Sequence, residues 1–435
     1  MYLEAEVRRR RGRGEAKKVS TQSIVGIMAL LKTIFSETYW MQLDECVSER
    51  ATTAQQVEVF LDSPNKSLIV STLLVRFPLC KLAAHAQGYA KNEMLSILGF
   101  KSEALQDCYK SFSDIVSVAK KDMDLMMLNK IIVNYTSDIR STFLSDTTNY
   151  GVQVDQIGLT YPNLAVSFVN RWVDRESMKR ISDVLDMGDI DYKTSILIVN
   201  AGYLKVTWEF PFDMRLTKNV KFHHHDGNIS MVPMMTRTDT YLHLTDPFTD
   251  AMFVNLKLAC FGLSLTIAVP STRKALTKLL SQLFSHPDTL QGVYRRMQYG
   301  RVSVMLPRFK VKTGVEWNKY LREIGLLKVF NETNSGLNGI LSENSQIKNM
   351  YLSKVKQKNF IDVDEMGVYR QKIDDARHVF NEPYPLRANR GPREHHGPQI
   401  RADHPFLFIV NLQKDHNDRL DLHELFTGVY YGPGY

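Results

Sequence analysis

The chain has 435 residues, 44% of them hydrophobic and 23% charged, a globular balance that excludes a disordered or fibrous protein. No run approaches the roughly 20 apolar residues a membrane-spanning helix needs, which excludes that class too. The formal charge of +8 is local: residues 8 to 18, RRRRGRGEAKK, hold a net of six positive charges, and the other 424 residues share two.

The first 22 residues are polar and without period, so residues 1–36 read as a basic, disordered extension. Ile24 to Leu31, IVGIMALL, resembles a short signal-peptide core behind a positive region, although Lys32 follows it and no small-x-small cleavage site is evident. Together with sequons at Asn65, Asn134, Asn228 and Asn331, candidate glycosylation sites, this sets a secreted glycoprotein as the expectation. The spacing predicts a helix over Ser48 to Leu61, stopped by Ser63-Pro64, and a second over Leu73 to Leu82, broken at Pro78. Lys91 to Leu98 follows with Gly99 as its stop, then Asp107 to Lys121.

Strands rich in Val, Ile and Leu are predicted at Leu128 to Val133, Ser195 to Leu204, Phe253 to Leu258, Leu263 to Pro270 and Arg301 to Phe309. Helices are predicted at Leu164 to Val184, Leu276 to Phe284 and Trp317 to Ile324. The irregular mixture points to an α+β fold with long antiparallel sheets. Residues 364 to 404 carry four prolines and six arginines with no apolar period, and HPFLFIVNL follows as a buried strand. That segment reads as a long exposed loop.

The four cysteines, Cys46, Cys80, Cys108 and Cys260, have neither metal-ligand nor disulfide-framework spacing; free thiols are the expectation, with one bridge as the alternative. His223-His224-His225 and His395-His396 read as exposed turn residues, because neighbours on a strand point to opposite faces. Trp172 and Trp208 read as core anchors. No nucleophile, base and orienting acid stand out, so neither an enzyme, a metal nor a cofactor is expected.

Six motifs in order resemble one family. Residues 194 to 212, TSILIVNAGYLKVTWEFPF, are similar to the signature strand of the serpins, with Asn200, Ala201, Tyr203, Lys205, Trp208 and Phe212 in place and Val206 for the usual glycine. FVNRWVDRESMKRI, VSVMLPRFK with its following helix, MYLSKVKQKNFIDVDEMG, RADHPFLFIV and LFTGVY match further serpin segments. The resemblance implies the serpin fold: three β-sheets, eight or nine helices and an exposed reactive-centre loop, as a single domain over residues 37–435 with the loop at about 367–404.

It implies a mechanism as well: a protease cleaves the loop, stays acyl-linked, and is dragged as the loop inserts into the main sheet. Glu365 and Gly367 form the hinge, and Asn200 and Gln357 lie where the sheet opens; many serpins carry histidine in place of Gln357. Insertion points alternate residues inward. In the family register these are Val368, Arg370, Lys372, Asp374 and Ala376, where inhibitory members have small residues. The other register places Tyr369, Gln371, Ile373 and Asp375 inside. A charged hinge predicts slow insertion, hence a non-inhibitory binding, carrier or decoy-substrate protein.

The alternative is a suicide-substrate inhibitor of a trypsin-like serine protease. Arg377, Asn381, Glu382 and Arg387 are candidate scissile-bond residues. Lys101, Lys110, Lys120 and Lys121 fall where some serpins bind sulfated polysaccharide, giving weak polyanion binding as an expectation. A protease, or a protein or small-molecule ligand, is the expected partner of a monomer.

Overall fold

The computed structural model describes residues 59–99, 125–145, 152–259, 262–286, 288–347, 349–366, 397–416 and 419–434. Its main sheet joins β2 (Leu125–Asn134), β3 (Gln153–Ile157), β4 (Ile196–Lys205), β10 (Phe309–Glu316) and β11 (Leu352–Val363), in the order β10-β11-β4-β2-β3. The second sheet contains β1 (Leu68–Val70), β5 (Lys218–His223), β6 (Ile229–Asp246), β7 (Ala251–Lys257), β8 (Leu263–Pro270), β9 (Gln298–Pro307), β12 (Gln399–Arg401), β13 (Phe406–His416) and β14 (Arg419–Tyr430). The 18-residue β6 pairs in turn with β5, β9 and β7, fusing two of the expected three sheets into one ladder.

Helices α1 (Thr72–His85), α2 (Gly88–Leu98), α3 (Ser141–Ser145), α4 (Pro162–Glu176), α5 (Leu276–Ser285), α6 (Thr289–Arg296) and α7 (Asn318–Glu323) pack around the sheets. The main sheet is covered on both sides, which is why β4 reads as an almost unbroken apolar run. Its Ile196, Ile198 and Leu204 join a core shared with the second sheet and α1. Leu197, Val199, Ala201 and Tyr203 turn the other way, onto Val166, Val169, Trp172 and Val173 of α4. Each such fully buried side chain contributes about 1.5–3 kcal/mol.

Three predicted elements are corrected. Pro78 does not break its helix: α1 runs through it. The helix expected to reach Val184 ends at Glu176, because Met178 and Lys179 take positive φ of 49° and 64° and Ser177 Oγ accepts from Ile181 N–H at 3.0 Å. The expected loop does not extend to residue 404: Gln399–Arg401 form β12, parallel to β9.

Candidate functional site: the seam between two parallel strands

β4 and β11 lie side by side and parallel, and Gln357 sits directly opposite Asn200. Both are fully buried on the face shared with α1, in a layer otherwise built from Val355, Ile198 and Ile361. Buried carboxamides must find partners, and here α1 supplies most of them. Ser71 caps α1, its Oγ accepting from Leu74 N–H at 3.2 Å. The Gln357 amide then clamps the Ser71 backbone: Oε1 accepts from its N–H at 3.0 Å, and Nε2 donates to its carbonyl at 2.7 Å. Asn359 Nδ2 donates to Gln357 Oε1 at 2.7 Å and to the Ile69 carbonyl at 3.1 Å.

Asn200 explains why α1 tolerates its proline. Proline has no N–H to give to the carbonyl four residues back, here that of Leu74. Asn200 Nδ2 donates to that carbonyl at 3.0 Å and to Asn129 Oδ1 at 2.7 Å. Strand and helix thus repair each other's missing bond. The layer is not fully satisfied, since Asn129 Nδ2, Asn200 Oδ1 and Asn359 Oδ1 are buried without a partner among the described residues.

Both ends of β11 are tied by charge. At the loop end, Glu365 is 3% exposed and accepts from Thr217 Oγ1 at 2.5 Å and from Arg308 Nε at 2.6 Å. Burial by itself raises the Glu365 carboxyl, but the bonds from Arg308 and Thr217 outweigh it and hold it below the usual range. The Phe212 and Trp208 N–H groups donate to the carbonyls of Glu365 and Met366 at 3.1 and 3.0 Å. Lys205 pairs with Asp364 at 2.5 Å and Asp362 at 3.4 Å. At the other end Lys354 and Lys356 share Asp189 at 3.0 and 2.9 Å.

Of the predicted site residues, Asn200 and Gln357 meet at this seam and Glu365 anchors its loop end. Gly367, Val368, Arg370, Lys372, Asp374, Arg377, Asn381, Glu382 and Arg387 lie outside the described residues. So do Lys101, Lys110, Lys120, Lys121, His395 and His396. Ser71, Asn129, Asn359, Arg308 and Thr217 were not singled out from sequence; for Asn129 and Asn359 the available signal was a polar residue at an inward position of an apolar strand. The sequon residues Asn65, Asn228 and Asn331 are exposed, and Asn134 is half-buried at the end of β2.

His224 corrects the exposed-turn reading. It is buried, its ring nitrogens 3.1 Å from the Tyr431 carbonyl and 2.8 Å from Ser230 Oγ. Cys80 corrects the free-thiol reading for one residue: it is buried in α1 and disulfide-bonded, with its partner outside the described residues.

The chain as a whole has counterparts among known proteins. The family model Serpin (serine protease inhibitor) matches residues 54–420. Antichymotrypsin-2 of Bombyx mori is 26% identical over 382 residues, which is 86% of this chain and 94% of that protein. The solved structure of Serpin48 from Tenebrio molitor superposes with a TM-score of 0.73 at 23% identity, covering 89% of this chain and 97% of that one. Human thyroxine-binding globulin superposes with a TM-score of 0.72 at 18% identity, covering 89% and 98%. With its motifs in order, its central sheet of five strands and a family match over most of its length, the chain belongs to the serpin family.

Proposed function

We propose that this serpin is a non-inhibitory member, a secreted binding, carrier or decoy-substrate protein without catalytic activity of its own, whose loop inserts too slowly to trap a protease. The supporting observation is the layer an inserting strand would have to face. Val355, Gln357, Asn359, Ile361 and Val363 of β11 all point into the core. A turn over residues 364–367 would pair Val363 with Val368, Ile361 with Arg370, Asn359 with Lys372 and Gln357 with Asp374, since opposite residues of an antiparallel pair share a face. Lys372 and Asp374 would then meet the carboxamide layer, including the unpartnered Asn359 and Asn200 oxygens. Arg370 would sit between Ile361 and Leu204, both buried and apolar. An unpaired charge there costs several kcal/mol, and a slow inserter lets the acyl-enzyme hydrolyse. The Cys80 disulfide supports the secreted reading, because such bonds persist in oxidising compartments.

The inhibitory reading is the alternative, favoured by the relatives named antichymotrypsin and antitrypsin and by the arginine-rich loop. One experiment separates them. The loop is nicked with trypsin, the melting temperature is compared before and after, and an SDS gel is run for a covalent adduct. No rise and no adduct are expected for the wild type, and a rise on nicking for Arg370→Ala. A large rise with an adduct in the wild type would overturn the proposal.

A further inference from the structure

The apolar layer between α4 and the main sheet has one discordant member. Lys130 of β2 points into it alongside Leu128 and Ile132, with a side chain only 4% exposed. A methionine there would continue the layer, whereas a buried ammonium carries a desolvation penalty. Its compensation is partial and specific: Asp155 of β3 lies 2.5 Å away, and the Nζ stands 4.1 Å from the centre of the Trp172 ring. Unlike an ion pair sealed in a core, this one lines a cleft of about 540 Å³ between α4 and β2–β3. That volume is within the ordinary range for small-molecule sites.

The other walls select a ligand class. Phe168 and Trp172 are four residues apart on α4 and present aromatic surface to the cleft, Phe168 being 44% exposed. Arg171 and Arg175 line it too. Arg175 is paired with Glu176 at 2.8 Å, and Lys130 with Asp155 through one of its three N–H donors. Arg171 donates its Nε to the Ser167 carbonyl and has no carboxylate partner among the described residues. The cleft is therefore left with one uncompensated positive charge, and its carboxylates are already occupied by cations.

We propose that this cleft binds a small aromatic anion, with the ring against Phe168 and Trp172 and a carboxylate or sulfonate taken by Arg171 and Lys130. Binding here does not involve the reactive-centre loop, so the nicking experiment and this one fail independently.

The test titrates the full-length protein with 2-naphthoate by calorimetry, with the neutral 2-naphthylmethanol in parallel. One saturable site is expected, and the neutral analogue should bind about tenfold more weakly, the worth of a charge-assisted hydrogen bond. Arg171→Ala and Phe168→Ala each weaken 2-naphthoate by about three- to tenfold, and Lys130→Met by about tenfold. Phe168 and Arg171 are exposed, so their variants keep the test valid even if Lys130→Met fails to fold. No saturable 2-naphthoate binding, equal binding of the alcohol, or unchanged binding in Arg171→Ala and Phe168→Ala would overturn the assignment.

Discussion

Replacing Gln357 with alanine removes the amide that joins β11 to the start of α1. Its two bonds to the Ser71 backbone, at 3.0 and 2.7 Å, are lost; the buried Ser71 N–H is orphaned, whereas the carbonyl, at the N-cap of α1, keeps the first helical bond and loses about 1 kcal/mol. The buried orphan costs about 1–3 kcal/mol. Asn359 loses one acceptor but keeps the Ile69 carbonyl, adding at most about 1 kcal/mol. A total of about 2–5 kcal/mol follows. At roughly 2 cal/mol/K of unfolding entropy per residue, a domain of this size shifts its melting temperature by roughly 1–1.5 °C per kcal/mol. The expected loss is therefore about 2–7 °C, read by circular dichroism at a fixed scan rate and pH. Gln357→Met, which fills the space but cannot bond Ser71, should lose nearly as much and so separates the hydrogen bonds from the cavity. A shift below about 1 °C in both variants would refute the idea that this amide holds the seam.

Two further expectations concern the same strands. In a double-mutant cycle, Asn200→Ala should cost about 1 kcal/mol less in a Pro78→Ala background than alone, because the substituted alanine restores the helical donor to the Leu74 carbonyl; strict additivity in chemical denaturation would contradict the repair argument. Glu365→Gln should destabilise by about 1–2 kcal/mol at neutral pH, since the half-open Arg308 screens part of the loss. The folded carboxyl is held below its unfolded value of about 4.3. Its contribution is thus full above that pH and disappears as pH falls through the folded value. The gap between wild type and variant should narrow below about pH 4, and a gap constant from pH 7 to 3 would count against the assignment.

Much of the fold was legible because strong local signals agreed with it. The ILIVNAGYL run, the LSLTIAVP run and the Gly99 stop all became the elements their patterns suggested. Pro78 misled because a local rule ignores a partner more than a hundred residues away: the Asn200 amide that makes the proline harmless is visible only after folding. The loop's late section misled for a similar reason, since Gln399–Arg401 has no apolar run of its own and owes its extended form to pairing with β9. At the seam, Asn200 and Gln357 were found through motif resemblance, which covers strands well. Ser71, Asn129 and Asn359 carry no motif, and their roles come from depth beneath the sheet, a property no spacing rule reports.

The chemistry of the seam also fixes which parts of β11 respond to proton concentration. Its middle is fastened by carboxamides and backbone groups, none of which titrates in water's accessible range. An imidazole at position 357 would have made that fastening sensitive across the physiological interval. Among the described residues the carboxylates that tie β11 lie toward its two ends, Asp362 and Asp364 with Lys205 and Glu365 with Arg308 at one, and Asp189 with Lys354 and Lys356 at the other; those of Glu365 and Asp189 are held low. Acid therefore loosens this strand from its ends inward, while the carboxamide fastening at its middle carries no group to protonate.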